Sequence, residues 1–301
     1  MSRFDAVLFD AGGVLVLPDP TVIAPLLVRY GGSTDTESHR RAHYAGMKAK
    51  SDRAEPEGSW GAYDEAYVAV VDVDPADREE AAFVLGRTRS AWLWRWTIPE
   101  TRSALDALAA AGVPMGVVSN ASGQIEAMLL REICQVGPGA HVEMRVVVDS
   151  HVVGVAKPDP AIFDHALLHF AEFDRSRIAY VGDSVTMDVG AATAAGPHPI
   201  LLDPYDDHVG ADFERIRAVA DLDEAAFVLE RTRSAWLWRW MIPETRRALD
   251  DLAGSGVPMG VVSNASGQIE GMLLREICQV GPGRHVEMRC IVDSHVVGVA
   301  K

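Results

Sequence analysis

Short apolar runs alternate with amphipathic segments over roughly the first 215 residues of the chain. The runs have the length and composition of buried parallel strands, and they cover residues 4–9, 113–118, 146–148, 178–181 and 199–202. Between them, "PETRSALDALAAAG" and "PAIFDHALLHFAEF" have the apolar spacing of helices. Strands that alternate with helices predict an α/β fold with a doubly wound, mostly parallel, Rossmann-like sheet.

One long interval, residues 18–96, interrupts this alternation directly after the first strand. It contains four helix-like stretches, 21–31, 39–50, 60–71 and 79–96, and no clear strand pattern. In an open parallel sheet, ligands bind at the carboxyl ends of the strands. An insert after the first strand is therefore predicted to form a helical cap domain that covers this edge as a lid.

Composition and charge narrow the class of protein. With 301 residues, of which 48% are hydrophobic, the chain can bury a sizeable core in about two domains. A net charge of -15 and a pI near 5.0 argue against sequence-independent binding to nucleic acid or to an anionic membrane, which both require a cationic surface. A small molecule is therefore the expected partner.

Cysteine usage and the N-terminus indicate a cytoplasmic protein. Cys134, Cys278 and Cys290 form no CxxC pair, so neither a disulfide framework nor a zinc site is predicted. The N-terminus lacks the pattern of a signal peptide, and no apolar run reaches the roughly 18 residues of a membrane span.

A partial duplication occupies the C-terminal part of the chain. "GVPMGVVSNASGQIE" occurs twice, 144 residues apart, and residues 80–157 match residues 224–301 at 68 of 78 positions. The second copy, assigned to a region 216–301, contains no counterpart of Asp10 or Asp183. It is predicted to build neither a second active site nor a sheet, because the strands that would flank it are absent.

Three outcomes are open for this second copy. It can displace the first copy from the sheet, pair with another molecule or stay partly disordered. In the disordered case, Trp236, Trp238 and Trp240 would expose apolar surface, so we expect self-association through the duplicated segment.

Polar side chains follow the predicted strands in several distant segments. Asp10 ends the first strand, Ser119 and Asn120 end another, and Asp183 ends a third, while Lys157 precedes a predicted helix. Because the carboxyl ends of parallel strands share one edge, these groups are expected to converge. Carboxylates beside a lysine and a hydroxyl are typical of a site that holds Mg²⁺ and a phosphoryl group.

The segments "FDAGGV", "VVSN", "AKPDPAIF" and "VGDSVTMD" resemble the four ordered motifs of the haloacid dehalogenase-like hydrolase superfamily. The resemblance covers about residues 5–205, with the insert at the place where such proteins carry a helical cap. It implies a hydrolase core formed by residues 1–17 and 97–215, with residues 18–96 as the cap.

The resemblance also implies a role for each matching residue. Asp10 would be the nucleophile that forms an aspartyl-phosphate, while Ser119, Asn120 and Lys157 would bind the phosphoryl group, with Lys157 neutralising charge. Mg²⁺ would be held by Asp10, the Gly12 carbonyl and Asp183, with Asp188 supporting it through water.

Position 12 departs from the family pattern, because phosphatases of this superfamily usually carry there an aspartate that acts as general acid and base. The first hypothesis is a magnesium-dependent phosphatase of a small phosphorylated metabolite, in which water, His39 or His43 supplies the proton. The alternative is a weakly active or inactive protein that binds a ligand or partner.

A minor alternative is phosphonate cleavage or dehalogenation. Phosphonate cleavage would use Lys48 or Lys50 as a Schiff base, whereas dehalogenation does not need the metal that the spacing of Asp183 and Asp188 suits. We further expect Trp92, Trp94 and Trp96 to pack at the junction of cap and core.

Overall fold

The computed structural model describes residues 3–222, 243–263, 270, 273–274 and 277–293. The chain divides into two compact units, Met1–Val228 and Leu229–Lys301. No helix in these described residues is long and apolar enough to cross a membrane.

The first unit contains a six-stranded parallel sheet and two shorter pairs of strands. Its strands are β1 (Ala6–Phe9), β2 (Val16–Pro18), β3 (Trp94–Thr97), β4 (Met115–Ser119), β5 (Cys134–Val136), β6 (Val142–Met144), β7 (Val147–Asp149), β8 (Ile178–Gly182), β9 (His198–Leu202) and β10 (Glu214–Ile216). Six of them form one sheet in the order β10-β9-β8-β1-β4-β7. Every pair in this sheet is parallel.

Helices surround the sheet and fill the insert. The α-helices of the first unit are α1 (Pro20–Leu27), α2 (Thr36–Asp52), α3 (Gly61–Val70), α4 (Arg78–Arg87), α5 (Pro99–Ala110), α6 (Ile125–Leu129), α7 (Ser150–Val153), α8 (Ile162–Leu167) and α9 (Gly190–Ala195). Five 3₁₀ turns cover Val28–Tyr30, Ala91–Leu93, Leu168–Phe170, Arg175–Arg177 and Val219–Asp221, and a π-helical turn covers Val185–Val189.

The central strand β1 shows why the sheet is covered on both faces. Its side chains alternate, so Val7 and Phe9 pack in one hydrophobic cluster while Ala6 and Leu8 pack in another. Helix α5 contributes to the first cluster and helix α8 to the second. Because all four residues of β1 are buried, the sheet is doubly wound, and the predicted fold class is confirmed.

The first unit extends past residue 215, where the sequence analysis ends the hydrolase core. Strand β10 pairs with β9, and Ile216, Val219 and Leu222 belong to the same hydrophobic cluster as β1. Strand β10 has the sequence Glu-Arg-Ile with a single apolar residue, so the apolar pattern does not predict this last strand.

The insert is a helical subdomain with its own hydrophobic cluster, formed by residues of α1 to α4. Two expectations for it are wrong. The fourth helix ends at Arg87 rather than near residue 96, and β3 follows it and pairs antiparallel with β2. Strand β3, with the sequence WRWT, consists largely of aromatic and β-branched residues, which favour strands. The pairing of Leu17 in β2 with Trp96 in β3 joins the two connections between the insert and the sheet.

The second unit repeats the local elements of the segment from which it is copied. Its described elements are α10 (Pro243–Gly254), β11 (Gly260–Ser263), β12 (Cys278–Val280), β13 (Val286–Met288) and β14 (Cys290–Asp293). Strands β11 and β14 form a parallel pair, as do β12 and β13. The prediction that the copy builds no sheet is therefore wrong, because it carries the partner strand of β11 within itself. Trp236, Trp238, Trp240 and Lys301 lie outside the described residues.

Candidate active site

The carboxyl edge of the sheet brings together polar groups from three neighbouring strands. Asp10 directly follows β1, Ser119 is the last residue of β4, and Asp183 directly follows β8. Since β1 lies between β4 and β8, these side chains meet at one place. The Ser119 hydroxyl acts to lower the pKa of the Asp10 carboxyl group, and all three residues line one cavity.

Lys157 supplies the positive charge of this cluster. Its Nζ atom lies 3.0 Å from Oδ2 of Asp10 and 2.7 Å from Oδ1 of Asp188, and its side chain is buried. The two carboxylates hold the pKa of Lys157 above its usual value in spite of burial, which acts in the opposite direction. Lys157 is therefore a charged lysine at neutral pH.

Asn120 holds the backbone that carries Lys157. The Asn120 amide nitrogen donates to the carbonyl oxygen of Lys157 at 2.9 Å, and the Lys157 backbone N–H donates to Oδ1 of Asn120 at 2.8 Å. Both ends of the amide are used in this way. Asn120 lines the cavity, and its contacts indicate that it positions Lys157.

Asp188 lies in the π-helical turn after β8. Its Oδ1 atom accepts hydrogen bonds from Lys157 and from the Tyr180 hydroxyl, and its Oδ2 atom accepts one from the backbone of Ser184. A Cβ atom at Gly182 would lie 2.2 Å from Cγ of Asp188, so this close approach requires glycine. Asp188 thus orients Lys157, and Tyr180 is a contact that the sequence analysis missed.

Asp10, Asp183 and Asp188 can supply carboxylate oxygens that all lie within 4.8 Å of one another. Burial raises the pKa of Asp10 to about 7, with further repulsion from Asp188 and Asp183 and a counteracting effect of Lys157. Burial and then the charge of Asp188 raise the pKa of Asp183 well above its usual range. Bound Mg²⁺ would relieve this repulsion, and oxygen donors are the ligands it prefers. The three residues therefore fit the predicted metal, with Gly12 beside them in the wall of the cavity.

His43, one of the two histidines considered as proton donors, extends from α2 of the insert to the cluster. Its Nε2 atom lies 2.8 Å from Oδ2 of Asp183, and its Nδ1 atom lies 3.0 Å from the Tyr63 hydroxyl. Burial lowers the pKa of His43 to about 3 and raises that of Tyr63. A neutral His43 therefore accepts from Tyr63 at Nδ1 and donates to Asp183 from Nε2.

His39, the other histidine, has no contact with the cluster. It pairs with the Tyr67 hydroxyl at 2.8 Å and with the Ser33 carbonyl oxygen at 2.9 Å. Neither histidine lines the described cavity around Asp10.

The indole of Trp94 covers the position where a side chain at residue 12 would project. A Cβ atom added to Gly12 would lie 3.2 Å from Cζ3 of Trp94, and a carboxyl group beyond it would have to displace the ring. The ring packs edge-on against His43 with centroids 5.4 Å apart. Trp94 is half-buried against the main hydrophobic cluster, as expected, whereas Trp92 is exposed.

The cavity next to Asp10 has a volume of about 380 Å³. Its walls come from both the sheet edge and the insert. The insert contributes Met47, Lys50, Glu57, Trp60 and Arg89, among others. The insert thus covers the carboxyl edge of the sheet, which is the place the sequence analysis predicts for it.

The fold and the cluster define a doubly wound α/β protein. Its sheet edge holds three clustered aspartates beside a buried lysine, and a helical insert covers this edge. The family model for haloacid dehalogenase-like hydrolase matches residues 4–196. This match includes Asp10, Ser119, Lys157, Asp183 and Asp188 and spans more than half of the chain. The chain therefore belongs to the haloacid dehalogenase-like hydrolase family.

Curated relatives match shorter parts of the chain. Haloacid dehalogenase-like hydrolase domain-containing protein 3 of Xenopus laevis is 35% identical over 107 residues, which are 36% of this chain and 41% of the relative. Pyrimidine 5'-nucleotidase YjjG of Escherichia coli (strain K12) is 33% identical over 82 residues, which are 27% of this chain and 34% of the relative. The chain thus spans less than half the length of these relatives.

A solved structure of a HAD-hydrolase, YfnB of Bacillus subtilis bound to magnesium, is similar over 73% of this chain and 97% of that chain. Its sequence identity is 14%, and the TM-score is 0.44.

Proposed function

We propose that this chain is a magnesium-dependent phosphatase that hydrolyses a small phosphorylated metabolite through an aspartyl-phosphate on Asp10. The observation that supports the proposal is the contact between the Asp10 carboxylate and the Lys157 ammonium. This contact lies within the cluster that Asp10 forms with Asp183 and Asp188. The name of the Escherichia coli relative, a pyrimidine 5'-nucleotidase, is consistent with a phosphate ester as substrate.

In the first step, an oxygen of Asp10 attacks phosphorus while the bond between phosphorus and the ester oxygen breaks. The leaving oxygen receives a proton and departs as an alcohol. Lys157 and the Ser119 hydroxyl lie on the Asp10 side of the cavity, where they can offset negative charge on the phosphoryl group. Water then attacks the aspartyl-phosphate, releases phosphate and restores Asp10.

Magnesium would be held by Asp10, Asp183 and the carbonyl of Gly12, and when bound it supplies positive charge to the phosphoryl oxygens. Lys157 holds Asp188 in place next to that position, and His43 holds Asp183. The Asp188 oxygens are already engaged by Lys157, Tyr180 and Ser184, which is consistent with support of the metal through water.

The contacts of Lys50 count against phosphonate cleavage through a Schiff base. Its Nζ atom donates to the carbonyl oxygens of Pro56 at 2.9 Å and Glu57 at 3.1 Å, and also to that of Ser59. A Schiff base requires the neutral amine, whereas three carbonyl acceptors suit the three hydrogens of the ammonium form and act against the effect of burial, which lowers the pKa of Lys50. Lys48 pairs with Asp52 on the surface.

The test is hydrolysis of an aryl phosphate by the purified chain, with magnesium and with a chelator. An aryl leaving group needs little protonation, so the glycine at position 12 should matter least with this substrate. We expect turnover that requires magnesium and that falls to background in Asp10→Asn. Asp106→Asn is the matched control, because Asp106 is an exposed carboxylate of α5 outside the cavity.

Turnover that persists in Asp10→Asn would contradict the aspartyl-phosphate. If the chain shows no turnover above Asp10→Asn, the weakly active or inactive alternative is favoured, with a role in binding a ligand or partner.

A further inference from the structure

Hydrolysis of an unactivated ester requires a proton donor that position 12 does not supply. The ionisable side chains that line the described cavity are Asp10, Lys50, Glu57, Arg89, Lys157, Asp183 and Asp188. Four of them, Asp10, Lys157, Asp183 and Asp188, form the cluster that binds the reacting group and the metal in the proposed function. The donor must therefore come from the three residues of the insert or from water.

Two of these three residues are committed to other contacts. Lys50 gives its hydrogens to three backbone carbonyls. The guanidinium of Arg89 pairs with Asp64 and lies over the ring of Trp60, 4.3 Å from its centroid. Arginine also keeps its proton at any physiological pH, so it cannot serve as an acid and a base.

Glu57 is the remaining candidate, and it is a half-buried residue that lines the cavity. In the part of the chain that the structure describes, no group donates a hydrogen bond to this carboxylate. Its negative charge also contributes to the raised pKa of Asp183, after the larger effects of burial and of Asp188. A carboxyl group is one of the usual proton-transfer groups of hydrolases.

The loop that carries Glu57 is held in place by a buried ammonium group. Lys50 of α2 is bound to the carbonyls of Pro56, Glu57 and Ser59, which span the connection from α2 to α3. Burying a lysine is costly unless its charge is compensated, and three carbonyl acceptors provide this compensation. The arrangement fixes the backbone of Glu57 while its side chain remains available.

We propose that Glu57 is the general acid and base of this enzyme, supplied by the insert instead of by residue 12. The inference rests on the proposed function. In the first step, the carboxylic acid of Glu57 gives its proton to the ester oxygen as that oxygen leaves phosphorus and Asp10 becomes phosphorylated. In the second step, the Glu57 carboxylate takes a proton from the attacking water, and Asp10 and inorganic phosphate are released.

The experiment compares Glu57→Gln with the wild-type chain on two substrates, an aryl phosphate and an alkyl phosphate, with magnesium present. Rapid-quench measurements follow phosphorylation of Asp10, and mass spectrometry follows the phosphorylated chain. We expect phosphorylation by the alkyl ester to fall about 100-fold or more and phosphorylation by the aryl ester to fall less than about 10-fold. The phosphorylated variant should accumulate with the aryl ester, because its hydrolysis lacks a base.

Glu65→Gln is the matched control, because Glu65 is an exposed residue of the same insert that pairs with Arg53 and does not line the cavity. It should behave as the wild-type chain on both esters. Equal losses on both esters in Glu57→Gln would indicate a binding or structural role and would overturn the inference. Unchanged rates, or a phosphorylated variant that does not accumulate, would overturn it as well. A wild-type chain that never becomes phosphorylated would instead overturn the proposed function, and this inference with it.

Discussion

The two copies of the duplicated segment have nearly the same sequence but different surroundings. In the first unit, β4 lies between β1 and β7, and all five of its residues are buried. In the second unit, β11 pairs with β14 alone among the described residues. Val118 of β4 has no exposed surface, whereas 56% of its counterpart, Val262 of β11, is exposed. Identical residues therefore differ in burial when the neighbouring strand differs.

The small parallel pair within each copy shows the opposite behaviour. Strands β5 and β6 in the first copy, and β12 and β13 in the second, have the same register and the same burial pattern. Cys134 and its counterpart Cys278 are each only 1% exposed. Because the residues that cover these strands lie within the copy, the packing is reproduced wherever the segment folds.

The same difference in neighbouring strands decides which copy contributes to the candidate active site. Ser119 is buried next to Asp10, because β4 is hydrogen-bonded to β1. Ser263 occupies the matching end of β11 and is half-buried, and the second copy contains no counterpart of Asp10 or Asp183. A local motif is thus not sufficient for the site, since Asp10, the proposed nucleophile, follows another strand.

The largest expected effect follows from the assignment of the site to the first copy. Removing Ser119 and Lys157 together, as Ser119→Ala with Lys157→Ala, should lower aryl phosphate turnover by about 100-fold or more. The reason is that both groups that offset charge at Asp10 are lost. Steady-state kinetics with magnesium measures this effect, and circular dichroism checks that the variant remains folded.

The matched control for this loss is Ser263→Ala with Lys301→Ala, which changes the same two motif positions in the second copy. We expect this variant to keep the wild-type rate. Activity that survives the first double substitution and disappears when all four residues are changed would show that the copies exchange.

A smaller effect is expected on stability, from one leucine in each copy. Leu108 of α5 is 3% exposed in the main hydrophobic cluster, whereas its counterpart Leu252 of α10 is 43% exposed. Leu108→Ala should lower the free energy of unfolding by about 2 to 5 kcal/mol, because a fully buried leucine is truncated. Leu252→Ala should cost less than about 1 kcal/mol. Urea unfolding of both variants measures the difference, and equal costs would show that the two helices are equally covered.

The smallest expected effect is on how stability depends on pH, and it arises in the first unit, which holds the clustered carboxylates. In the folded chain, the pKa of Asp10 is raised from 3.8 to about 7. Between these values the folded state retains a proton that the unfolded state has lost, so Asp10 makes stability fall as the pH rises through this window. In chelator, Asp10→Asn should therefore be more stable than the wild-type chain near pH 8.

This gain should disappear near pH 3, because Asp10 is then protonated in the folded chain and largely so in the unfolded one. Urea midpoints at both pH values test the prediction. A variant that is no more stable than the wild-type chain at the higher pH would contradict it.

Much of the fold and several site residues could be predicted from the sequence. The five apolar runs became β1, β4, β7, β8 and β9, since a buried parallel strand has a continuous apolar pattern. Asp10, Ser119, Lys157, Asp183 and Asp188 lie together, as the shared carboxyl edge predicts. The short strands β3, β5, β6 and β10 were not predicted, because polar residues interrupt their apolar positions, and β2, which ends at Pro18, was not predicted either.

The sequence by itself determined the order of strands and helices and the local pairs that recur in both copies, because these depend on neighbouring residues. It also determined which residues stand at the ends of strands. Only the tertiary structure decided that Trp94 occupies the space beside Gly12, that His43 holds Asp183 and that Lys50 fixes the loop of Glu57 over the cavity. These contacts join residues from segments distant in the chain or in separate elements, and they depend on how the insert packs on the sheet.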